Sequence, residues 1–249
     1  MIQRRRGLFF VALLTLVVVL VLTFPARIAY NLASSPFLKM SGITGTVWSG
    51  GAREFSTNGV YLRKIEWKMR PARLLTGKAV YDLSGSPASG FFQSEIQLGL
   101  GGTLTVRNLT ASMPLQMFER AAGVAGLRGN GKMKIERLEL VDGRATVLDG
   151  TVDVANLVVP IVHRASLGGF RAEFFTQNNG IMASVEDAGG VVELAGTLEL
   201  APDKSYAFLG YITPNSRTPE NMAKRMQFLP KTDQPNLRSG ACRILAYYA

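Results

Sequence analysis

The chain has 249 residues, 47% of them hydrophobic, with 28 basic and 18 acidic side chains and a formal charge of +10. A single cysteine forms no intramolecular disulfide, and a single histidine leaves no set of ligands for a zinc site. The basic excess holds no run interleaved with stacking aromatics, which argues against nucleic-acid binding.

Arg4, Arg5 and Arg6 stand directly before residues 7–24, an unbroken run without charge. At about 1.5 Å per residue that run spans roughly 27 Å, close to the roughly 30 Å hydrocarbon core of a bilayer. The expectation is a cytoplasmic N-terminus over 1–6, one transmembrane helix over 7–24, and everything beyond on the far side of the membrane. A cleaved signal peptide is the competing reading. The run exceeds the usual apolar centre of about 7–15 residues, and Pro25, Ala26 and Arg27 follow where a small-x-small cleavage site would stand. Weaker sites occur at Ala29 and over 33–35. On balance these details favour a retained anchor.

Residues 25–41 read as a membrane-proximal linker whose 26–33 stretch continues the helix. Residues 42–249 read as a periplasmic β-rich domain, punctuated by glycine. Ile96, Leu98, Leu100, Gly102, Leu104 and Val106 take every second position, as in a half-buried strand or a pair bent at Gly101-Gly102. Met133 and Ile135, then Leu138 and Leu140, alternate with a one-residue slip at Glu136-Arg137 that predicts a β-bulge. Asp142-Gly143, Asp149-Gly150, Asn179-Gly180 and Gly189-Gly190 read as turns between further strands, the last of them over 191–200. Short strands joined by tight turns predict antiparallel β architecture, with no βαβ crossover pattern.

Two short helices interrupt the strands. One follows Pro114 through Leu115, Phe118 and Ala122 and ends at Gly123; the other is capped by Thr218, with Pro219 and Glu220 in its first turn. Met222 and Met226 lie one turn apart on the second and read as core filling. Cys242, between Ala241 and Arg243, reads as a buried thiol. His163 follows the apolar stretch 159–162 and precedes Arg164, and it reads as structural, because a catalytic triad or a metal site would have to be built on it alone. Gly99-x-Gly101 and Gly129-x-Gly131 lack the strand-to-helix setting of a dinucleotide loop. No enzyme and no cofactor is implied.

The least ordinary segment covers 42–77. Gly45 and Gly50 flank what reads as a short strand over 46–49 carrying Trp48. Leu62, Ile65 and Trp67 supply a second strand, ended by Arg70-Pro71 because proline cannot donate to the ladder. Taken alone, Trp48 and Trp67 are two core tryptophans on neighbouring strands. Together, Gly45, Thr46, Trp48, Gly50 and Ala52, then Trp67, Pro71, Leu74, Leu75 and Gly77, follow the spacing G-T-x-W-x-G-x-A and W-x-x-x-P-x-x-L-L-x-G. This resembles the type II secretion system protein N family (general secretion pathway protein N). Length and topology extend the likeness over essentially the whole chain, and 226–240 resembles a loose form of the family's C-terminal helix, loop and last strand.

The resemblance implies a non-catalytic component of the machine that moves folded proteins across the outer membrane. Its partners would be the inner-membrane platform and the outer-membrane secretin, and the ten matched residues carry over as a structural signature. A similar motif recurs in AsmA-type envelope proteins, whose curved sheets hold lipid, so a lipid-handling module is the second hypothesis. The expected fold is a mostly antiparallel, curved β-sheet, half-pipe or two-layered, with a few short helices on one N-terminal transmembrane helix. A continuous, solvent-open apolar trough would distinguish the lipid reading from a scaffold with an ordinary core.

Overall fold

The computed structural model describes residues 2–33, 38–57, 60–87, 89–99, 101–177, 180–201, 205–226 and 240–246, with the side chains at 2–10, 33, 38, 57, 206 and 240–246 excepted. Two helices open the chain, α1 (Ile2–Leu22) and α2 (Ala26–Ala33), separated at Pro25, so the second does not continue the first. The strands follow as β1 (Leu38–Ser41), β2 (Thr44–Gly45), β3 (Ser49–Thr57), β4 (Val60–Met69), β5 (Lys78–Gly85), β6 (Phe91–Gly99) and β7 (Leu104–Pro114). After a turn of 3-10 helix and the short α3 (Glu119–Ala122) come β8 (Arg128–Val141), β9 (Arg144–Val159), β10 (His163–Gln177), β11 (Gly180–Gly190), β12 (Val192–Leu200) and β13 (Tyr206–Pro214). The chain then forms α4 (Glu220–Met226) and β14 (Gly240–Ala246). Residues 227–239, most of the expected C-terminal helix and loop, lie outside the described residues, as does the side chain of Cys242.

All the strands belong to one antiparallel sheet, in which neighbours in sequence are neighbours in space. The only departure is β2, which pairs with β3 off the main path while β1 takes the outer place beside β3. The first and last strands do not pair with each other, so the sheet is curved and open. This removes the two-layered alternative.

Two-residue periodicity gives the sheet two chemically distinct faces. One cross-strand row runs Ala52, Ile65, Gly85, Phe92, Ala111, Met133, Val152, Ala172, Val185, Gly196 and Gly210 without a polar side chain. The adjacent row, Glu66, Ser84, Gln93, Thr110, Lys134, Thr151, Glu173, Ser184 and Thr197, is polar throughout. Ion pairs lace that second face, with Arg70 between Asp82 (2.6 Å) and Glu95 (2.9 Å), and Arg171 on Asp153 (2.6 Å). The buried core is concentrated at the N-terminal end of the apolar face, around Ile65, Phe92 and Ala111 and around Ala26, Ile43 and Ala52.

Some sequence expectations hold here and others change. The Glu136-Arg137 slip is a bulge, with the register shifting between Ile135 and Arg137. Asp142 and Gly143 both adopt positive φ, as a tight hairpin requires. Asp149-Gly150, in contrast, is no turn. It lies inside β9 opposite that bulge, where Gly150 takes φ 151° and Asp149 accepts the Thr176 amide (3.0 Å). The stretch 46–49 is a tight turn rather than a strand, closed by the Thr46 amide on the Ser49 carbonyl (2.9 Å). Thr218 bonds backward, accepting from the Asn215 amide (2.8 Å) and donating to the Val191 carbonyl, which fastens α4 to the sheet instead of capping it.

Among the described residues no helix is long and apolar enough to cross a membrane. The part of α1 with described side chains, residues 11–22, rises only about 18 Å.

Candidate functional site: a collar at the helix–sheet junction and an apolar sheet face

The signature residues divide into two groups, and the first forms a collar around the end of α1. Thr46 turns the chain, its hydroxyl accepting the amides of Trp48 (3.3 Å) and Ser49 (3.2 Å). That turn aims the Trp48 indole at α1, where Nε1 donates to the carbonyl of Val21 (2.7 Å). The Val47 amide donates to the Phe24 carbonyl (3.1 Å), and Pro25 bridges to Thr46. Trp67 closes the collar from β4, donating Nε1 to the Thr46 carbonyl (3.0 Å). The close approach explains the glycines: a Cβ at Gly45 would stand 2.5 Å from the Ser49 carbonyl, and one at Gly50 2.7 Å from the Trp67 ring. Ala52 is buried with Ala26 and Ile43, and Trp67 packs against both core clusters.

These bonds hold the last turn of α1, where the Val21 carbonyl also accepts the Phe24 amide (3.3 Å), and the residues just after it. Arg27 adds a bond to the Ile43 carbonyl (2.6 Å), and the Tyr30 hydroxyl accepts the Met40 amide (3.1 Å). The exit of α1 is thus fixed to β1–β4.

The second group is a turn. Pro71 opens a 3-10 turn, Pro71–Thr76, and Gly77 closes it in the left-handed region with its amide on the Leu74 carbonyl (3.0 Å). The turn sits beside the collar, because the Met69 amide donates to the Trp48 carbonyl (2.7 Å). Leu74 and Leu75 are exposed.

Next to the collar, Glu54 on β3 clasps β1 through the Ser41 hydroxyl (2.7 Å). Hydrogen bonds from Tyr61 and Ser41, with the charges of Arg63 and Arg53, hold its carboxyl below the usual carboxylate range. A depressed value means the clasp is intact above the unfolded-state pKa and is lost as pH falls through the folded one. Hydrogen exchange should therefore show β1 amides opening only as pH falls below the ordinary glutamate range and not at neutral pH, with Glu54→Gln removing the dependence.

The apolar face is the other candidate surface. Toward β10, β12 and β13 most of it is only half-buried, Leu167 and Val192 excepted, and it deepens into a hollow of about 780 Å³. Leu167, Phe170, Val192, Leu194 and Ile212 form its floor, Met222 and Met226 of α4 one wall, and His163, Arg164 and Arg225 its polar part. Met222 and Met226 therefore face an open hollow. A smaller hollow of about 290 Å³ lies between Leu62, Phe92, Met113 and Met133 of the sheet and Leu115 and Phe118 of the connecting turn. His163 lines the larger hollow, with Nδ1 accepting the Ala165 amide (3.2 Å). Among the described residues no group of three His, Cys, Asp or Glu is placed to hold a metal ion.

Sequence reasoning singled out the collar residues but missed their purpose. The acceptors on α1 and in the turn are backbone carbonyls, which carry no residue signature. The exposed apolar face follows from the alternation, but its openness depends on a second layer being absent.

Comparison with known proteins adds a separate line. The family model for type II secretion system (T2SS) protein N matches residues 36–239. The type II secretion system protein N of Vibrio cholerae serotype O1 is 24% identical over 235 residues, covering 91% of each chain. That of Aeromonas hydrophila is 22% identical over 203 residues, covering 79% of this chain and 80% of its own. No solved structure gives a significant match.

Proposed function

The chain belongs to the type II secretion system protein N family, and on that premise we propose that it is a non-catalytic, inner-membrane-anchored periplasmic part of the secretion apparatus. In this role it links the inner-membrane platform to other envelope components, including the secretin. The extent of the family match, which takes in nearly the whole sheet, carries the reading. The anchor rests on α1, whose leucines and valines from Val11 onward are exposed on all sides with no protein cover, as suits a helix surrounded by lipid. Arg4, Arg5 and Arg6 set its orientation. The open sheet supplies the means of engagement, since an extended segment of a partner can add to a free edge by main-chain hydrogen bonds.

A second reading is favoured by one observation: the apolar face is open toward its C-terminal half and ends in a roomy hollow. An acyl chain fits such a surface, which makes lipid handling the alternative occupation of the same groove.

Purification of the full-length chain in mild detergent, followed by mass spectrometry of co-purifying proteins and extractable lipid, tests both. The expected result is stoichiometric recovery of other secretion-system subunits without retained lipid. Tightly held phospholipid with no protein partner would overturn the scaffold role in favour of lipid handling.

A further inference from the structure

The collar decides which end of the sheet faces the membrane, if α1 is the anchor proposed above. Trp48 and Val47 hold the last turns of α1 by their bonds to Val21 and Phe24. The start of β3 and the end of β4 therefore lie where α1 leaves the bilayer. The loop between β9 and β10 lies at the opposite end, because successive strands of an antiparallel meander reverse direction.

One apolar feature stands at the near end without cover. On the 3-10 turn, Leu75 is 93% exposed and Leu74 also projects into solvent. The turn is stiffened by the Thr76 hydroxyl on the Arg73 carbonyl (2.7 Å) and by the left-handed Gly77. It holds these leucines outward rather than leaving them on a slack loop. α2 leads away from this end: Ala26 packs on Ile43 and Ala52, and farther along the Tyr30 hydroxyl meets the Met40 amide opposite Phe55, so the exposed Leu32 stands higher up the sheet. Within the two segments charge has one sign, although Glu95 lines the same surface hollow as Arg73 and Lys78. Residues 26–33 and 71–78 contain Arg27, Arg73 and Lys78 and no carboxylate. Neither Arg73 nor Lys78 forms an ion pair with a described residue. Trp48 lies at the helix end itself, the depth at which indoles prefer the membrane interface.

We propose that this end of the sheet is a membrane footing, in which Leu74 and Leu75 insert into the leaflet from which α1 emerges. Arg27, Arg73 and Lys78 meet anionic headgroups around them. The occupant is the lipid surface itself. A stiff turn with paired leucines and flanking cations enters a bilayer at little conformational cost, since its backbone bonds are already internal. The footing adds a second point of contact to a single helix. It thereby sets the tilt of the sheet and the direction in which its free C-terminal edge faces.

The inference rests on α1 as the anchor, and the test separates the two. In a Cys242→Ser background, single labels are placed at Leu75→Cys, Val17→Cys and Ile161→Cys, the last at the far end and 85% exposed. The full-length protein is reconstituted into nanodiscs containing phosphatidylglycerol, and each fluorophore is challenged with lipid-borne and aqueous quenchers. The expected result is that labels at 17 and 75 are quenched several-fold more by the lipid-borne quencher, and the label at 161 by the aqueous one. A label at 75 open to the aqueous quencher while that at 17 is buried in lipid overturns the footing and leaves the anchor standing. Aqueous quenching at both 17 and 75 overturns the anchor and the footing with it. As a check that labelling itself does not drive insertion, Leu74→Asp with Leu75→Asp should keep the native circular dichroism. The same pair of aspartates should raise aqueous quenching several-fold at a label placed at Thr76→Cys.

Discussion

Gly150→Ala should lower the stability of the sheet by about 3 kcal/mol, combining a positive-φ penalty of roughly 1–2 with overpacking of roughly 1–3. Gly150 lies in the middle of β9 at φ 151°, paired with Ile135 on one side and Phe174 on the other. A Cβ there would stand 2.4 Å from the Lys134 carbonyl and 2.6 Å from the Ile135 Cα. Both are backbone atoms of the neighbouring strand, so neither can swing aside as a side chain would. The bulge at Ile135–Arg137 brings the strands together at this point, and only glycine lets them meet. Urea unfolding of the full-length protein in detergent measures the effect. Gly102→Asn is the control: it also has positive φ (77°) but opens onto empty space, so asparagine should cost no more than about 1 kcal/mol. A wild-type midpoint for Gly150→Ala would show that the strands separate freely at the bulge.

Trp67→Ala is expected to cost about 3 kcal/mol, at the low end for removal of a large aromatic because the ring is half-buried. The loss is of two kinds. The ring packs against both core clusters, and its Nε1–H supplies the hydrogen bond to the Thr46 carbonyl. Trp67→Phe separates them, keeping most of the packing while losing the bond, and should cost about 1 kcal/mol. The collar should also open in Trp67→Ala. Arg27, whose side chain is held on the Ile43 carbonyl (2.6 Å), then becomes a site of tryptic cleavage. Resistance of Arg27 to trypsin in that variant would mean that Trp48 alone secures α1.

Much of the sheet was legible from period-two patterning, for a physical reason. Leu104, Val106 and Leu109 share a face with Leu140, Leu138 and Ile135, and one-sided burial fixes such a register strongly. The break in their spacing, like the slip at Glu136, marks a bulge and is visible because it interrupts a regular pattern. Asp142-Gly143 was readable since two successive positive-φ residues admit few alternatives. Asp149-Gly150 misled because the same dipeptide also serves at a bulge, and the choice depends on the strand opposite. The collar was half legible. Gly45, Thr46, Trp48, Gly50 and Trp67 stood out by type and spacing, but their partners are carbonyls of Val21 and Thr46 that any residue would present. Whether the apolar face would be covered depended on a second sheet, and its absence leaves no mark on local sequence.

Pairing almost entirely between successive strands has a consequence for how the molecule is made. Each hairpin can zip onto the one before it as soon as it is synthesised, without waiting for a distant segment, which keeps contact order low for a β-protein. Growth starts at the collar and proceeds outward, much as in a repeat array where each unit leans only on its neighbour. Stability should then be graded along the chain, greatest where the core clusters lie and least at β14, the last strand added. Until the final strand docks, the exposed growing edge is the surface that needs shielding.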